Sequence, residues 1–451
     1  MLLLVGCQYT PPGGEVPTDG TTTVDVTIIP DTLPDPNICQ DTTTASCLGN
    51  VLRKCETVGQ LPIDTPCAIC AAGPPAHCEA LVPSANGATV EDLAPDGNVV
   101  DITIGNDTRA DTSSGEIQGV RPGGEGVLNG IGFRVVNNIA VWRFHSLVID
   151  GDIDFVGNRP AVFAANRTIA VNDTLDLRGD CLFQSAGPGG SQGGIAEQDG
   201  SGGDGRGKHG NGASNSNASG GSGAGHGATG SGGASSSGNA GTTGGNTFGD
   251  ATITMLRGGA GGGGGGGETT TGGIGGGGGG ALHLVANDRI TFGPGGGVNA
   301  GGCGGQRALF HDAAGGGGGS GGTILVEAIE VNLTTGILAV NGGGGGGGDG
   351  GGQAGQRGQL SRTAATGGGA NGTTGGAGGA GGAPTTNLSG GAGASGSSNR
   401  NGGGGGGGVG RIRVNTRNDQ NLIGTCAVCS PNFDDPGTTT TRGPATIITV
   451  D

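Results

Sequence analysis

Aromatic side chains are scarce in this chain, which has nine phenylalanines, one tryptophan and one tyrosine in 451 residues. So few rings exclude the large aromatic core that is usual in domains of this length. The chain also lacks a run of about 20 apolar residues, which argues against a membrane-spanning helix. Its glycines keep no Gly-X-Y period, which excludes a collagen triple helix. Lysine is nearly missing, with Lys54 and Lys208 alone among 21 basic residues.

Glycine and acidic residues are abundant instead. Glycine accounts for 115 residues, and 37 Asp and Glu against 21 Lys and Arg give a formal net charge of −16. An acidic chain repels phosphate groups, so neither nucleic acid nor bare anionic lipid is an expected partner. The glycine content by itself is at the level typical of low-complexity sequence.

The chain begins with an apolar stretch that ends in LVGC at positions 4–7 and is followed by a polar segment. This tetrapeptide resembles the lipobox of bacterial lipoproteins, in which the cysteine is acylated. The resemblance implies lipid attachment at Cys7, a truncated signal over residues 1–7 and, with Gln8 next, a surface-exposed place on the bacterial outer membrane. Only six residues precede the cysteine and none is basic, so we expect a start upstream, with a chance match as the alternative. Residues 8–37, rich in Pro and Thr, are predicted to be a flexible tether.

Ten cysteines remain once Cys7 is set aside, an even number that suits five disulfides. Six fall in the segment 38–80, which has too little apolar bulk for a core of its own. We therefore predict a disulfide-rich module in an oxidising compartment, and it resembles the small Cys-rich modules of myxobacterial surface proteins. The disulfide candidates are Cys39, Cys47, Cys55, Cys67, Cys70, Cys78, Cys181, Cys303, Cys426 and Cys429. Zinc at the two CxxC pairs is the alternative, but the spacings do not fit zinc knuckles, so no metal is expected.

From residue 87 to 450 the sequence repeats units of about 20 residues, each with three short β-prone pieces. The units begin at Ala140, Ala161, Ala281 and Thr323, with partial copies at Ala251 and Arg411. Aliphatic and polar residues alternate in each piece, which predicts strands stacked about 4.8 Å apart in an all-β, parallel β-helix-like solenoid. The core stripe predicted for one unit consists of Ile324, Val326, Ile337 and Ala339. A β-sandwich or jelly roll is the alternative architecture.

Long glycine tracts separate the units, and several run directly into a strand, as the tract 275–280 does before Ala281. Ordered glycine loses much conformational entropy, so an ordered tract needs dense hydrogen bonding, which bundled polyglycine II helices would supply. The tracts resemble those of polyglycine-rich phage adhesins and of the springtail antifreeze protein. The segment 187–250 is richer in Ser and Asn and is predicted to be disordered.

Three aspartates alternate in the sequence IDGDID, namely Asp150, Asp152 and Asp154. Alternate residues of a strand share one face, so these carboxylates could bind Ca²⁺ or serve as acid and base in a polysaccharide hydrolase or lyase. The simpler interpretation is that the aspartates face water while the apolar residues between them point into the core. Those apolar residues are Ile149, Ile153 and Phe155.

These observations favour a non-enzymatic, lipid-anchored cell-surface protein that acts structurally or as an adhesin and needs no cofactor. The expected partners are the membrane, through the lipid, and a polysaccharide or protein of the cell surface or matrix. The second hypothesis is a β-helix enzyme that degrades polysaccharide, with Asp150, Asp152 and Asp154 as weak catalytic candidates. The third is an ice-binding protein.

Overall fold

The computed structural model describes residues 38–181, 185–212, 217–237, 239, 241–267, 271–372, 374–397, 400–419 and 421–450. In these ranges the regular structure consists of β-strands and one-turn 3₁₀ helices, and no residue is α-helical. The 3₁₀ helices include Val90–Asp92, Gly203–Gly205 and Arg417–Asp419. The prediction of an all-β chain is confirmed. The predicted lipid-attachment residue Cys7 and the tether 8–37 lie outside the described residues.

A small module of antiparallel strands occupies residues 38–82. Its strands are β1 (Ala45–Leu48), β2 (Val51–Lys54), β3 (Ile63–Pro66), β4 (Ile69–Ala71) and β5 (His77–Val82). Strands β1, β2 and β3 form one sheet, and β5 pairs with both β4 and a strand near the C-terminus, β26 (Thr446–Val450). Its disulfides are Cys39–Cys55, Cys47–Cys70 and Cys67–Cys78. These cross-links, with a few buried apolar side chains, replace a large core, as the cysteine spacing predicts.

Three larger sheets are built from the strands that follow. In chain order they are β6 (Ile102–Ile104), β7 (Thr108–Asp111), β8 (Gly126–Leu128), β9 (Ile131–Val136), β10 (Ile139–Phe144), β11 (Leu147–Ile149), β12 (Ile153–Val156), β13 (Ala161–Ala165), β14 (Thr168–Val171), β15 (Thr174–Asp176), β16 (Ala281–Ala286), β17 (Arg289–Phe292), β18 (Gly297–Asn299), β19 (Thr323–Glu327), β20 (Glu330–Asn332), β21 (Ile337–Ala339), β22 (Arg411–Thr416), β23 (Leu422–Ile423), β24 (Val428–Ser430) and β25 (Thr440–Pro444). The first sheet has the order β25-β22-β19-β16-β13-β10-β9-β8, the second β23-β20-β17-β14-β11-β6, and the third β24-β21-β18-β15-β12-β7. All pairs are parallel except β10–β9 and β9–β8.

The chain visits the three sheets in turn. Each triplet from β10–β12 to β22–β24 places one strand in every sheet, and we call each triplet a unit. Four of the predicted unit starts coincide with strand starts, namely Ala161, Ala281, Thr323 and Arg411. The predicted start at Ala140 is the second residue of β10. The partial copy at Ala251 is wrong, because residues 251–256 form turns. Ile253 and Leu256 pack there against the outer face of the first sheet.

Buried side chains of successive units lie in register and form the core. In the first sheet the paired inward residues are Trp142, Phe163, Leu284, Val326 and Val414. In the third sheet they are Ile153, Leu175, Val298, Leu338 and Cys429. The predicted stripe is therefore only half right: Ile324 and Val326 belong to it, but Leu338 takes the place expected for Ile337 and Ala339. A shift of one residue in reading a strand exchanges its two faces.

The glycine-rich segments all leave the sheets at the same corner. They span residues 177–280, 300–322 and 340–410, and each begins after a strand of the third sheet and ends before a strand of the first. This common exit brings the segments side by side and explains why the glycine tracts run directly into β16 and β19 in the sequence.

Backbone hydrogen bonds join these segments in steps of three residues. Gly315, Gly318 and Gly321 donate to Gly402, Gly405 and Gly408, over 2.9–3.0 Å. One position further along the tract, Gly316 and Gly319 donate to Gln306 and Cys303. One position further again, Gly317 and Ser320 donate to Gly263 and Ala260. One tract therefore donates to three neighbouring stretches of chain, and every third residue donates to the same one.

The segment 187–250 takes part in this layer. Within it, Gly221 and Ala224 donate to the carbonyls of Gly315 and Gly318 at 3.0 and 2.9 Å. The described part of the segment is thus hydrogen-bonded, in contrast to the disorder predicted from its composition. Small residues allow backbones to approach closely enough for these bonds, which offset the entropy lost on ordering.

Close approach, and not backbone handedness, requires glycine in the tracts. A Cβ built on Gly317 would lie 1.9 Å from the carbonyl oxygen of Ser222, and one on Gly404 would lie 2.0 Å from that of Gly316. Neither glycine has a φ in the left-handed region. Any side chain at these positions would collide with a neighbouring backbone.

Candidate functional site

The three aspartates singled out in the sequence lie at the exposed turn before β12 and on that strand. Ile149, Ile153 and Phe155 are buried, so the predicted alternation of apolar and polar faces is confirmed. Asp150 accepts a hydrogen bond from Nδ2 of Asn172 at 2.7 Å, and Asp152 accepts one from the backbone N–H of Thr174 at 3.0 Å. Both carboxylates therefore bridge neighbouring units and are occupied within the fold.

A column of aspartates follows this turn through successive units. The backbone N–H of Asp152 donates to Oδ1 of Asp107 at 3.1 Å, and the hydrogen bond between Asp152 and Asp173 raises the pKa of Asp173. Among the described residues, no group of three or more His, Cys, Asp or Glu side chains is placed to hold a metal ion. The column therefore gives no support to the calcium hypothesis.

Asp154 differs from the other two because it lines a groove of about 270 Å³ on the outer face of the third sheet. It lies in register with Arg109 of β7 on one side and Asp176 of β15 on the other. Neighbouring strands are about 4.8 Å apart, so these side chains are adjacent. In the next unit the same row continues with Asn299, which is buried. The groove therefore lies along the part of this row of side chains that is not buried, from Arg109 to Asp176.

Two neighbouring carboxyl groups of the groove, those of Asp154 and Asp176, have different environments. Partial burial raises the pKa of Asp154, the neighbouring Asp176 raises it further, and Arg109 opposes the change. Asp176 instead accepts hydrogen bonds from the backbone N–H and the guanidinium of Arg178, which include Nε to Oδ1 at 2.9 Å and Nη2 to Oδ2 at 2.5 Å. Asp154 therefore retains a proton more easily than an ordinary aspartate, and it lies beside Asp176, whose carboxylate is held in place by Arg178. Such a pair of carboxyl groups is suited to acid–base chemistry.

The rim of the groove is cross-linked to the glycine-rich segments. Cys181, one residue beyond Asp180 of the groove, forms a disulfide with Cys303, and Nε2 of Gln306 donates to the carbonyl of Cys181 at 3.3 Å. A fifth disulfide joins Cys426 to Cys429 in the last unit. Every cysteine of the described residues is thus paired, in agreement with five bonds among the ten candidates.

The sequence did not indicate the other charged residues of the groove, which are Arg109, Asp176, Arg178, Asp180 and Arg357. Asp176 could have been found, because aligning the unit at Ala161 beneath the unit at Ala140, with a one-residue gap between their first and second strands, places Asp176 beside Asp154. Arg357 carries no such signal, since it lies in a glycine-rich segment whose path depends on the packing of other segments.

No helix in the described ranges has the length and apolar character needed to span a membrane. Comparison of the chain with models of protein families, with curated proteins and with solved structures finds no match.

Proposed function

We propose that this chain is a non-enzymatic, lipid-anchored protein of a bacterial outer membrane, with a structural or adhesive role at the cell surface. Cys7 carries the lipid and residues 8–37 act as the tether in this proposal. The stacked units form a parallel β-helix solenoid, and the glycine tracts pack on it as polyglycine II helices. The protein thereby holds a large polar surface away from the membrane.

The observation that carries the proposal is the three-residue pattern of hydrogen bonds between the glycine-rich segments. A tract such as 315–322 donates to three neighbouring stretches and accepts from others, so it cannot open without breaking bonds to all of them. Such a layer suits a rigid support better than a site that must close over a substrate. The five disulfides add support, since they favour an exported protein.

Lipid attachment is tested by incorporation of labelled palmitate in the producing bacterium. The full coding region, including any upstream start, is expressed as wild type and as Cys7→Ala. We expect label in the wild type and none in the variant, together with loss of the variant from the membrane fraction. Absence of label from both would refute the anchor.

The adhesive role is tested separately, by attachment of cells that carry the wild-type protein, the Cys7→Ala variant or no protein. We expect attachment to abiotic or polysaccharide-coated surfaces to fall to the level of the deletion strain in the variant. Equal attachment by all three strains would contradict the adhesive role and leave only a structural one.

A polysaccharide-degrading enzyme is the second candidate, and the pairing of Asp154 with Asp176 is the observation that favours it. The test is release of reducing ends from acidic and neutral polysaccharides by the wild type, Asp154→Asn and Asp176→Asn. Release that is lost in both variants would establish the enzyme and overturn the non-enzymatic proposal.

A further inference from the structure

Two guanidinium groups in the groove are held by no ion pair, although the positive charge of Arg109 acts on the neighbouring Asp154. Arg109 and Arg357 are both exposed, and within the described ranges neither side chain makes an ion pair or a hydrogen bond. The third arginine, Arg178, is committed to Asp176 and also reaches the carbonyl oxygen of Gly358 at 3.4 Å. The groove therefore contains two planar cations whose side-chain N–H donors are not used by the described part of the protein.

The shape of the groove limits the size of that ligand. Its volume of about 270 Å³ is below the roughly 300 Å³ at which pockets for drug-sized molecules begin, so one charged group or one sugar ring fits. The aromatic residue that lines it, Phe155, is only 3% exposed. Proteins usually bind neutral sugars by stacking them on an exposed aromatic ring, and the lining of this groove has no such ring.

We infer that the groove binds a sugar carboxylate, so that the ligand is a uronate unit of an acidic polysaccharide held between Arg109 and Arg357. A guanidinium presents paired N–H donors that match the two oxygens of a carboxylate, and it binds them more specifically than a lysine would. This inference rests on the proposed adhesive role, to which it adds the chemical class of the partner.

The negative groups that face the groove set the conditions for binding. Asp154, Asp176 and Asp180 line it, and Asp152 acts on Asp154 from the turn before β12. Asp176 is neutralised by Arg178, which leaves Asp154 and Asp180 as the lining carboxylates that oppose an anion. The net charge of −16 acts at longer range, and salt screens it beyond about 8 Å at physiological ionic strength.

The test is binding of the whole protein to polygalacturonate, with dextran as the neutral polymer and dextran sulfate as an anion without carboxylates. Titration calorimetry at neutral pH and physiological ionic strength is expected to show binding to polygalacturonate and none to dextran. Arg109→Ala and Arg357→Ala should each weaken it by roughly tenfold, the usual effect of losing a charge-assisted hydrogen-bonding group. Asp154→Asn, which removes an opposing charge, should strengthen it.

Arg400→Ala is the matched control, because Arg400 is also exposed, makes no side-chain ion pair within the described ranges and does not line the groove. We expect this variant to bind like the wild type, and unchanged circular dichroism of all variants to show that they fold. Equal loss in Arg400→Ala, loss of binding in Asp154→Asn, or equal binding to dextran sulfate would overturn the assignment. No binding by the wild type would also overturn it, while the attachment assay could still support adhesion through another surface.

Discussion

A single methyl group added within the glycine layer tests its packing. Gly317 donates its N–H to Gly263 at 2.8 Å, and a Cβ at this position would lie 1.9 Å from the carbonyl oxygen of Ser222. Ser222 cannot retreat freely, because its own N–H is bonded to Lys208 at 2.8 Å. Overpacking costs about 1–3 kcal/mol and one lost backbone hydrogen bond about 1 kcal/mol. The lower chain entropy of unfolded alanine returns about 0.4–1 kcal/mol.

We therefore expect Gly317→Ala to lower the free energy of unfolding by about 2–3 kcal/mol. Gly105→Ala is the matched control, because a Cβ there meets no atom within 4 Å and the backbone φ is not left-handed. This control should be neutral or slightly stabilising. The assay is guanidinium unfolding followed by circular dichroism. A midpoint for Gly317→Ala equal to or above that of Gly105→Ala would refute the reasoning.

Three further substitutions test other parts of the fold. Arg121 is fully buried and donates to the carbonyls of Gly115, Pro122, Gly124, Gly126 and Ile131; Arg121→Met should destabilise by about 3–5 kcal/mol in thermal unfolding, and an unchanged Tm would contradict this. Replacing Cys181 and Cys303 by serine removes a cross-link between residues 122 apart; chain entropy predicts a loss of about 5 kcal/mol, and an unchanged unfolding midpoint would count against it. Burial alone would raise the pKa of Glu327, but His283, whose Nε2 lies 2.7 Å from Oε2, and hydrogen bonds from Ser84 and Asn415 lower it from 4.5 to about 2. A carboxyl group whose pKa is lowered in the fold stabilises the fold at pH values above its ordinary pKa, and this stabilisation is lost as pH falls from about 4.5 to 2. Glu327→Gln should therefore make the free energy of unfolding depend less on pH in this range. Parallel curves of unfolding free energy against pH for the variant and the wild type would contradict this.

Local patterns in the sequence were sufficient to predict the strands and the disulfide module. The unit at Thr323 shows both the strength and the limit of this approach, because its strand starts where predicted but β21 is read one residue out of phase. Three residues are too few for alternation to distinguish the two faces, and Leu338 is assigned to the core only by its register with Val298.

The glycine layer and the groove depend on contacts between distant segments, which the sequence does not display. The residues 187–250 have the composition of a disordered chain, yet Gly221 and Ala224 are bonded to a tract almost a hundred positions later. The groove likewise brings together Arg109, which precedes the first unit in the chain, and Arg357, which follows the fourth. Of its members, Asp154 and Asp176 carry a repeat signal, whereas the arginines gain their significance only from the packing.

The most direct test of the account is amide hydrogen exchange of the glycine tracts, followed by mass spectrometry of peptides covering 261–267, 315–319 and 402–408. If the tracts are bonded to one another as described, their amides should exchange as slowly as those of β16 and β19, through global opening alone. Exchange of these peptides at the rate of an unstructured chain, while the strands stay protected, would contradict the central claim.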